Sequence, residues 1–199
     1  MISFCEFQDP NHGSAMDNVI YRARVVWRDF AKWLRAYSVY VFLDSDPKLQ
    51  ELIATRLLNA PYDYIEMLKL FFGDQIADEY NFLLTNYITL FINLIHAEKS
   101  GDVNAANEYI KQLYQNVEQR ADFLSRINPF WQKTTLQSMM HYFTELNVTE
   151  ITTFLSKDYE QNLNIYDRIL SQSSVIGDYL AQGIMNYMQY SDRQQHPLK

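Results

Sequence analysis

The sequence predicts an all-α protein, an up-and-down helical bundle of four to five long helices with two short connecting helices. Turn-forming residues are scarce, since only 5 Gly and 5 Pro accompany 15 Tyr, 12 Phe and 3 Trp. A β-sandwich or barrel would need many more turns, and the widely spaced glycines form no phosphate-binding loop. Apolar residues recur at spacings of three and four, as in Val19, Ala23, Val26 and Phe30, which is typical of one helix face.

Capping residues and prolines divide the chain into its helices. Ser14 or Asp17 can cap the first helix, and the DSDP segment at 44–47 stops it and opens the next with a proline. Asn128-Pro129 ends a later helix. The predicted helices span about residues 16–43, 48–59, 62–72, 74–100, 103–127, 133–155 and 158–190. We expect one domain over 16–190, between a flexible leader, 1–15, and a flexible tail, 191–199.

The charge balance and the cysteine count limit the classes of partner. A formal net charge of −7 makes binding to nucleic acid by bulk electrostatics unexpected. Cys5 is the only cysteine and can form no internal disulfide, and the N-terminal residues lack a signal-peptide pattern. The most apolar stretch, 82–95, is shorter than the roughly 20 residues of a membrane span. We therefore expect a cytoplasmic protein that binds neither nucleic acid nor membrane.

No set of residues in the sequence is typical of a metal or catalytic site. Di-iron helical bundles use Glu-x-x-His pairs, and none of the 4 histidines follows a glutamate at that spacing. His141 and Glu145 are the one weak metal candidate, and a surface hydrogen bond or ion pair explains them better. Cys5 has only His12 near it, and no G-x-S-x-G elbow occurs. We expect no metal and no cofactor, and these observations favour a non-enzymatic protein.

The first predicted helix carries a basic stripe interleaved with tryptophan. The stripe could receive an anionic ligand or the acidic face of a partner. Alternatively, it is a solvated face whose long stems cover apolar surface, which is the interpretation that we favour. The stripe consists of Arg24, Arg28, Lys32 and Arg35, beside Trp27 and Trp33.

A polar stripe interrupts the most apolar helix. Asn86, Thr89 and Asn93 share one face of this helix, which we expect to be central to the bundle. A buried amide without a partner costs about 1–3 kcal/mol. The stripe therefore indicates a polar-lined pocket or, as we favour, a hydrogen-bonded network across helices or at a subunit interface.

A stripe of small residues marks the last helix, at Ser173, Gly177 and Ala181. Glycine inside a helix costs about 1 kcal/mol relative to alanine, so some contact must offset that cost. We expect the close approach of another helix, from the same chain or from a second subunit. A ligand cavity is the weaker alternative.

Several segments resemble an uncharacterised family of helical-bundle proteins from Firmicutes. The resemblance spans about residues 20–188 and is most specific in the run FLSRINPFW, residues 123–131. Some members carry the name acetylglutamate kinase, but such an α/β kinase needs glycine-rich phosphate loops, so we expect no ATP-dependent activity. The weaker matching residues are Arg24, Trp27, Trp33, Arg35, Thr55 to Leu58, Pro61, Asp63, Phe72, Gly73, Asn116, Tyr166, Asp167, Asp178, Gly183 and Ile184.

The resemblance also implies something about the interior. Family members often place histidine on three long helices, at positions that correspond here to Phe30, Tyr87 and Phe143. Three histidines on facing helices imply a metal or polar site in those relatives. The aromatic residues at these positions imply that any such site is absent from this chain and filled with core side chains.

These observations lead to three hypotheses. The first is a non-enzymatic structural or interaction protein that self-associates, as a homodimer. The second is a degenerate ferritin-like metal-binding scaffold, and the third is a small-ligand carrier with a polar-lined pocket between helices. The candidate ligand or interface residues are Trp27, Arg28, Trp33, Arg35, Asn86, Asn93, Asn128, Trp131, Ser173 and Gly177.

Overall fold

The computed structural model describes the backbone of residues 15–195 and the side chains of residues 19–191. Within these residues the protein is all-helical and contains no strand, which confirms the predicted fold class. Five helices are long, and α2 and α3 are short. In chain order they are α1 (Ala15–Phe42), α2 (Pro47–Asn59), α3 (Tyr62–Phe72), α4 (Asp74–Ser100), α5 (Val103–Ile127), α6 (Lys133–Leu155) and α7 (Tyr159–Gln195).

The helices begin and end at the capping residues that the sequence offers. The Asp46 side chain accepts hydrogen bonds from two backbone N–H groups in the first turn of α2. Asp102 accepts one in the first turn of α5. Gly101 ends α4 with φ 73°, a left-handed conformation in which a side chain would be strained. Local chemistry therefore sets these boundaries.

The two ends of the chain differ in how far the structure describes them. The expected leader, with Ser14 as a cap, lies outside the described residues except for Ala15, which begins α1. At the other end, α7 continues past the expected domain boundary at Tyr190 to Gln195. None of the described helices is long and apolar enough to cross a membrane.

The most extensive contact between helices joins α1 to α7, which run antiparallel. Arg24, early in α1, forms an ion pair with Asp178, in the middle of α7. The Arg35 guanidinium, farther along α1, lies 4.5 Å from the ring centre of Tyr166, near the start of α7. The first and last helices of the described chain therefore hold each other in place.

Helix α4 contacts α1, α2, α3, α5 and α6, which confirms the expectation that the most apolar helix is central. It runs parallel to α1, as two contacts show. Phe30 packs on Tyr87. Farther along both helices, the Tyr37 hydroxyl of α1 shares a hydrogen bond with His96 of α4 at 2.8 Å. A parallel neighbour requires a crossover connection. Helices α2 and α3 provide it.

The small-residue stripe of α7 packs against α1 of the same chain. A methyl group placed on Gly177 would lie 2.8 Å from the Arg24 backbone, closer than real contacts allow. Ser173 and Ala181 are fully buried on either side. The expectation of a close helix approach is confirmed, and its partner is α1 rather than a second subunit. This stripe therefore gives no support to self-association.

The FLSRINPFW run builds the turn from α5 to α6. The Asn128 side-chain oxygen accepts a hydrogen bond from the Phe130 N–H at 3.0 Å. The Trp131 indole donates to the Leu180 carbonyl oxygen at 3.2 Å and lies over Gly183, where a methyl group would be 1.9 Å from the indole nitrogen. Asn128 and Trp131 are buried within the chain. The structure thus gives both residues contacts inside the fold, and their expected role as ligand or interface residues stays a prediction.

Candidate functional site

Four aromatic rings from α1, α4 and α6 meet in the centre of the fold. The Phe30 ring centre lies 6.1 Å from that of Tyr87 and 5.9 Å from that of Phe143. Trp27 adds an edge contact to Phe143 at 5.8 Å. All four side chains are at most 5% exposed. The three positions that the family resemblance associates with histidine therefore do face one another, and here their rings pack together.

A small cavity lies beside these rings, between α1, α3 and α4. Its volume is about 10 Å³, which is close to the space that one water molecule needs. Trp27, Phe30, Tyr64 and Tyr87 contribute to its wall. A cofactor of ordinary size does not fit in this cavity.

The same interior contains a buried arginine on α5. Arg120, on α5, is 1% exposed, and its Nε donates a hydrogen bond to the side-chain oxygen of Asn116 at 2.8 Å. Asn116 in turn donates to the Leu83 carbonyl oxygen at 2.9 Å. The Arg120 guanidinium lies 3.9 Å from the centre of the Tyr87 ring, a close cation–π contact. Its Nη1 atom is buried and makes no hydrogen bond.

Three tyrosines are buried in the same interior, and one of them, Tyr87, contacts this guanidinium. The Tyr87 hydroxyl shares a hydrogen bond with Thr144 at 2.7 Å. The hydroxyls of Tyr64 and Tyr80 are buried without a partner. Burial raises the pKa of Tyr64 well above 10.0 and also raises that of Tyr80, while the positive charge of Arg120 opposes both rises.

A second buried charge lies where α1, α6 and α7 meet. Glu150, 2% exposed, forms an ion pair with Arg35, and Asn162 donates to the Glu150 backbone oxygen at 2.7 Å. Burial raises the pKa of Glu150, and the Arg35 charge opposes the rise. Arg35 therefore compensates an internal carboxylate, and its expected role as a ligand or interface residue is not supported by this placement.

The basic stripe of α1 is mostly paired with groups of the same chain. Arg24 binds Asp178, with one of its two hydrogen bonds at 2.7 Å. Lys32 pairs with Asp29 at 2.6 Å, and Arg28 donates to the Ser174 hydroxyl at 3.3 Å. Arg24 is 50% exposed in its ion pair, as the favoured interpretation of a solvated face expects, whereas the Arg35 side chain is only 18% exposed and does not fit that interpretation. Among the four cations, Arg28 is exposed and has no carboxylate partner in the described chain.

His141 and Glu145, the weak metal candidate, do not pair with each other in the structure. His141 Nε2 lies 2.5 Å from Glu118 on α5, so its carboxylate partner is not Glu145. The His141 ring also stacks on Tyr114. Hydrogen bonding to His141 and Gln137 lowers the pKa of Glu118. No three potential metal ligands of the His, Cys, Asp or Glu type cluster within the part of the chain that the structure describes.

The polar stripe of α4 does not line the interior. Asn86 and Thr89 are exposed, and Asn93 is half-buried. The Thr89 hydroxyl bonds to the Thr85 carbonyl oxygen of its own helix at 2.9 Å. The expected burial of this stripe is wrong, because the apolar residues on the opposite side of α4 already contact five helices.

A wide, open groove lies between α1 and α2, and we call it the α1–α2 groove. Its volume is about 710 Å³. Of the candidate residues from the sequence, only Trp33 contributes to it, and Leu52 is the most exposed apolar residue in its wall, at 54%. The lining residues are Trp33, Ala36, Tyr40, Leu49, Leu52, Ile53, Thr55, Arg56 and Asn59.

Searches of protein-family models, curated proteins and solved structures found no significant match to this chain.

Two features of these sites, Arg120 and the α1–α2 groove, were not predicted from the sequence. Arg120 follows Val117 by three positions and Leu113 by seven, so its place on the apolar face of α5 could have been recognised as a buried cation. The α1–α2 groove had a weaker signal. Helix α2 carries more leucines than one buried face requires, and Leu49 and Leu52 are left exposed.

Proposed function

We propose that this chain is a non-enzymatic interaction protein that self-associates as a homodimer through its α1–α2 groove. One observation carries the proposal: a large concave surface with aromatic and aliphatic walls lies open on the protein. Exposed contiguous apolar surface of this kind commonly marks an interaction site. Leu49, Leu52 and Tyr40 are between 38% and 54% exposed there, although each could lower its free energy by burial.

The charge distribution favours a second copy of the chain as the occupant. Each copy carries a formal net charge of −7, so two copies repel each other over most of their surfaces. The groove lining contains no carboxylate and one cation, Arg56. Two copies therefore meet with least repulsion when their grooves face each other. A symmetric contact of this type places the same residues on both sides.

The test is the concentration dependence of the molar mass in solution. We expect sedimentation velocity to show a dimer of the wild-type chain and a monomer of Leu52→Asp, because an aspartate in the centre of the interface would be buried without a partner. Leu70→Asp is the matched control, since Leu70 lies on α3, is 78% exposed and does not line the groove. A monomeric wild type, or a Leu52→Asp variant that still dimerises, would refute the proposal.

A small-ligand carrier is the second candidate, and the volume of the groove favours it. Ligand sites commonly enclose about 300–1,000 Å³ and combine apolar walls with a few polar groups. Arg56 and Asn59 are such groups at the edge of the α1–α2 groove. Titration with the fluorophore 1-anilinonaphthalene-8-sulfonate tests it. Saturable binding by a monomeric chain, weakened in Leu52→Asp and unchanged in Leu70→Asp, would support a carrier, whereas weak binding without saturation would exclude it.

We infer that the long helices form an up-and-down bundle. The inference rests on contacts between helices that follow one another in the chain. Tyr142 on α6 accepts a hydrogen bond from Arg168 on α7 at 2.7 Å, and Gln172 bonds to the earlier Met139 carbonyl oxygen, as antiparallel helices require.

The degenerate-scaffold hypothesis also remains a proposal. A ferritin-like ancestry would be supported if a relative with histidine at position 30 bound metal. A cytoplasmic location agrees with the single cysteine.

A further inference from the structure

The two ends of the α1–α2 groove differ in chemistry. Residues 43–46 connect α1 to α2, so the two helices form an antiparallel hairpin. Tyr40 and Leu49 therefore lie at the near end of the groove, beside this connection, and both side chains are exposed. Trp33 and Asn59 lie at the far end. The groove thus runs from a near end with aromatic and aliphatic walls to a far end that includes the last turn of α2.

The far end holds the polar groups that α2 contributes to the groove. Thr55, Arg56 and Asn59 all lie in the last two turns of α2. Arg56 is exposed, and among the described residues no ion pair within 4.0 Å includes it, because Glu51, the one glutamate of α2, pairs with Lys48. The C-terminal end of a helix dipole adds about half a negative charge there, which the full positive charge of Arg56 exceeds. The far end is therefore net positive, and the groove lining contains no carboxylate.

An aliphatic chain of medium length fits along the groove. Leu49 and Asn59 are ten positions apart on α2, which corresponds to about 15 Å, close to the length of a saturated chain of about twelve carbons. The volume of the groove, about 710 Å³, lies in the range of known ligand sites. Leu52, between the two ends, is 54% exposed, so an aliphatic tail in the groove would remove this side chain from water together with its own methylenes.

We propose that the α1–α2 groove binds a single-chain amphiphile, with its carboxylate head at Arg56 and its aliphatic tail directed towards Tyr40 and Leu49. The proposal rests on the second candidate function, the small-ligand carrier, and names the class of its ligand. A guanidinium can bind a carboxylate through two parallel hydrogen bonds. Asn59, three positions after Arg56 and therefore on the same side of α2, provides a further side-chain donor. A cationic head at the same place would meet only repulsion from Arg56.

The test compares dodecanoate with two molecules that each differ from it in one respect. Isothermal titration calorimetry of the wild-type chain is carried out below the concentrations at which the amphiphiles form micelles. We expect saturable binding of one dodecanoate per chain. Dodecyltrimethylammonium has the same tail and the opposite head charge, and it should bind more weakly by about tenfold or more. Octanoate, which is shorter by four methylenes, should also bind more weakly by about tenfold or more, because each buried methylene strengthens binding by about fourfold.

Three variants at exposed positions locate the head and the tail. Arg56→Gln removes the charge, so we expect dodecanoate to bind more weakly by about tenfold or more, without loss of affinity for dodecyltrimethylammonium. Arg56→Glu should reverse the preference between the two heads. Leu49→Asn, at the near end, should weaken the binding of both amphiphiles. Arg126→Gln is the matched control, because Arg126 lies on α5, is 66% exposed and does not line the groove.

The outcomes separate the ligand class from the carrier function on which it rests. Dodecyltrimethylammonium that binds as tightly as dodecanoate, or unchanged dodecanoate affinity in Arg56→Gln, would refute a carboxylate head at Arg56 and leave a carrier of another ligand class. Equal losses of dodecanoate affinity in Arg56→Gln and Arg126→Gln would also refute it, since they would show an effect of net charge alone. If no amphiphile binds the wild-type chain, the proposal is wrong, and the carrier function fails with it when 1-anilinonaphthalene-8-sulfonate does not bind either.

Discussion

Replacing Gly183 by alanine tests whether the Trp131 contact defines the α5–α6 end of the fold. The added methyl carbon would lie 1.9 Å from the indole nitrogen and 2.2 Å from the neighbouring ring carbon. Trp131 is 1% exposed, is tied to Leu180 by its N–H group and has Phe72 against its ring at 5.7 Å. The indole therefore cannot move aside without breaking other contacts.

The expected loss follows from two opposing effects. Overpacking of a well-filled core costs about 1–3 kcal/mol, and the short distances at Gly183 place this case at about 3 kcal/mol. Replacing a helical glycine by alanine gains about 1 kcal/mol. The net loss is about 2 kcal/mol, which corresponds to a fall of about 4–8 °C in the melting temperature for a chain of this size.

Urea unfolding followed by circular dichroism measures this loss, and a double-mutant cycle identifies its cause. Trp131→Ala alone should cost about 3–5 kcal/mol. In that background Gly183→Ala should stabilise by about 1 kcal/mol, because only the helix propensity remains. The coupling free energy is then about 3 kcal/mol. The reasoning would be refuted if the single Gly183→Ala variant, in which Trp131 is unchanged, were as stable as the wild type.

Three further predictions concern residues whose contacts in the structure could not be predicted from the sequence. Gly177→Ala should destabilise the chain by about 1 kcal/mol net, through the α1 backbone, and leave its molar mass in solution unchanged; increased stability in urea would contradict this. Burial raises the pKa of Glu150 above 4.5, so the folded state binds more protons than the unfolded state, and stability due to Glu150 is largest below pH 4.5 and lost as pH rises through the folded pKa. Glu150→Gln should therefore gain stability relative to the wild type between pH 4.5 and neutral pH in parallel urea titrations, and a widening deficit would be inconsistent with the raised pKa. His141→Ala should change stability by less than about 1 kcal/mol at pH 7, because its pair with Glu118 is partly exposed; added Zn²⁺ or Mn²⁺ should not shift its melting temperature or that of the wild type, and a saturable shift confined to the wild type would indicate a metal site.

The fold class and most helix boundaries could be predicted from sequence because they depend on local chemistry. Asp46 caps α2 and Gly101 ends α4 through atoms that lie within a few residues of them. The position of Gly177 predicted a close helix contact for the same reason, since a helical glycine needs compensation. The sequence could not identify the contacting helix. Arg24 is far from Gly177 along the chain, and only tertiary packing brings them together.

The candidate site was less predictable because it depends on partners from other helices. Arg24, Arg28 and Arg35 look alike on one stripe of α1. In the structure two of them form ion pairs, one of these with the buried Glu150. Spacing within a helix shows which residues share a face, but it does not show which opposite charges that face meets. His141 illustrates this limit, because its partner came from α5 and not from its own helix.

By itself, the sequence determined the all-helical fold of the residues that the structure describes. Periodicity and the scarcity of turn residues are properties of the chain that hold before any long-range contact forms. The tertiary structure alone decided that Phe30, Tyr87 and Phe143 meet, and that Arg120 lies against the Tyr87 ring. The physical reason is that compensation of buried charge and close packing depend on distances between helices, which local sequence does not encode.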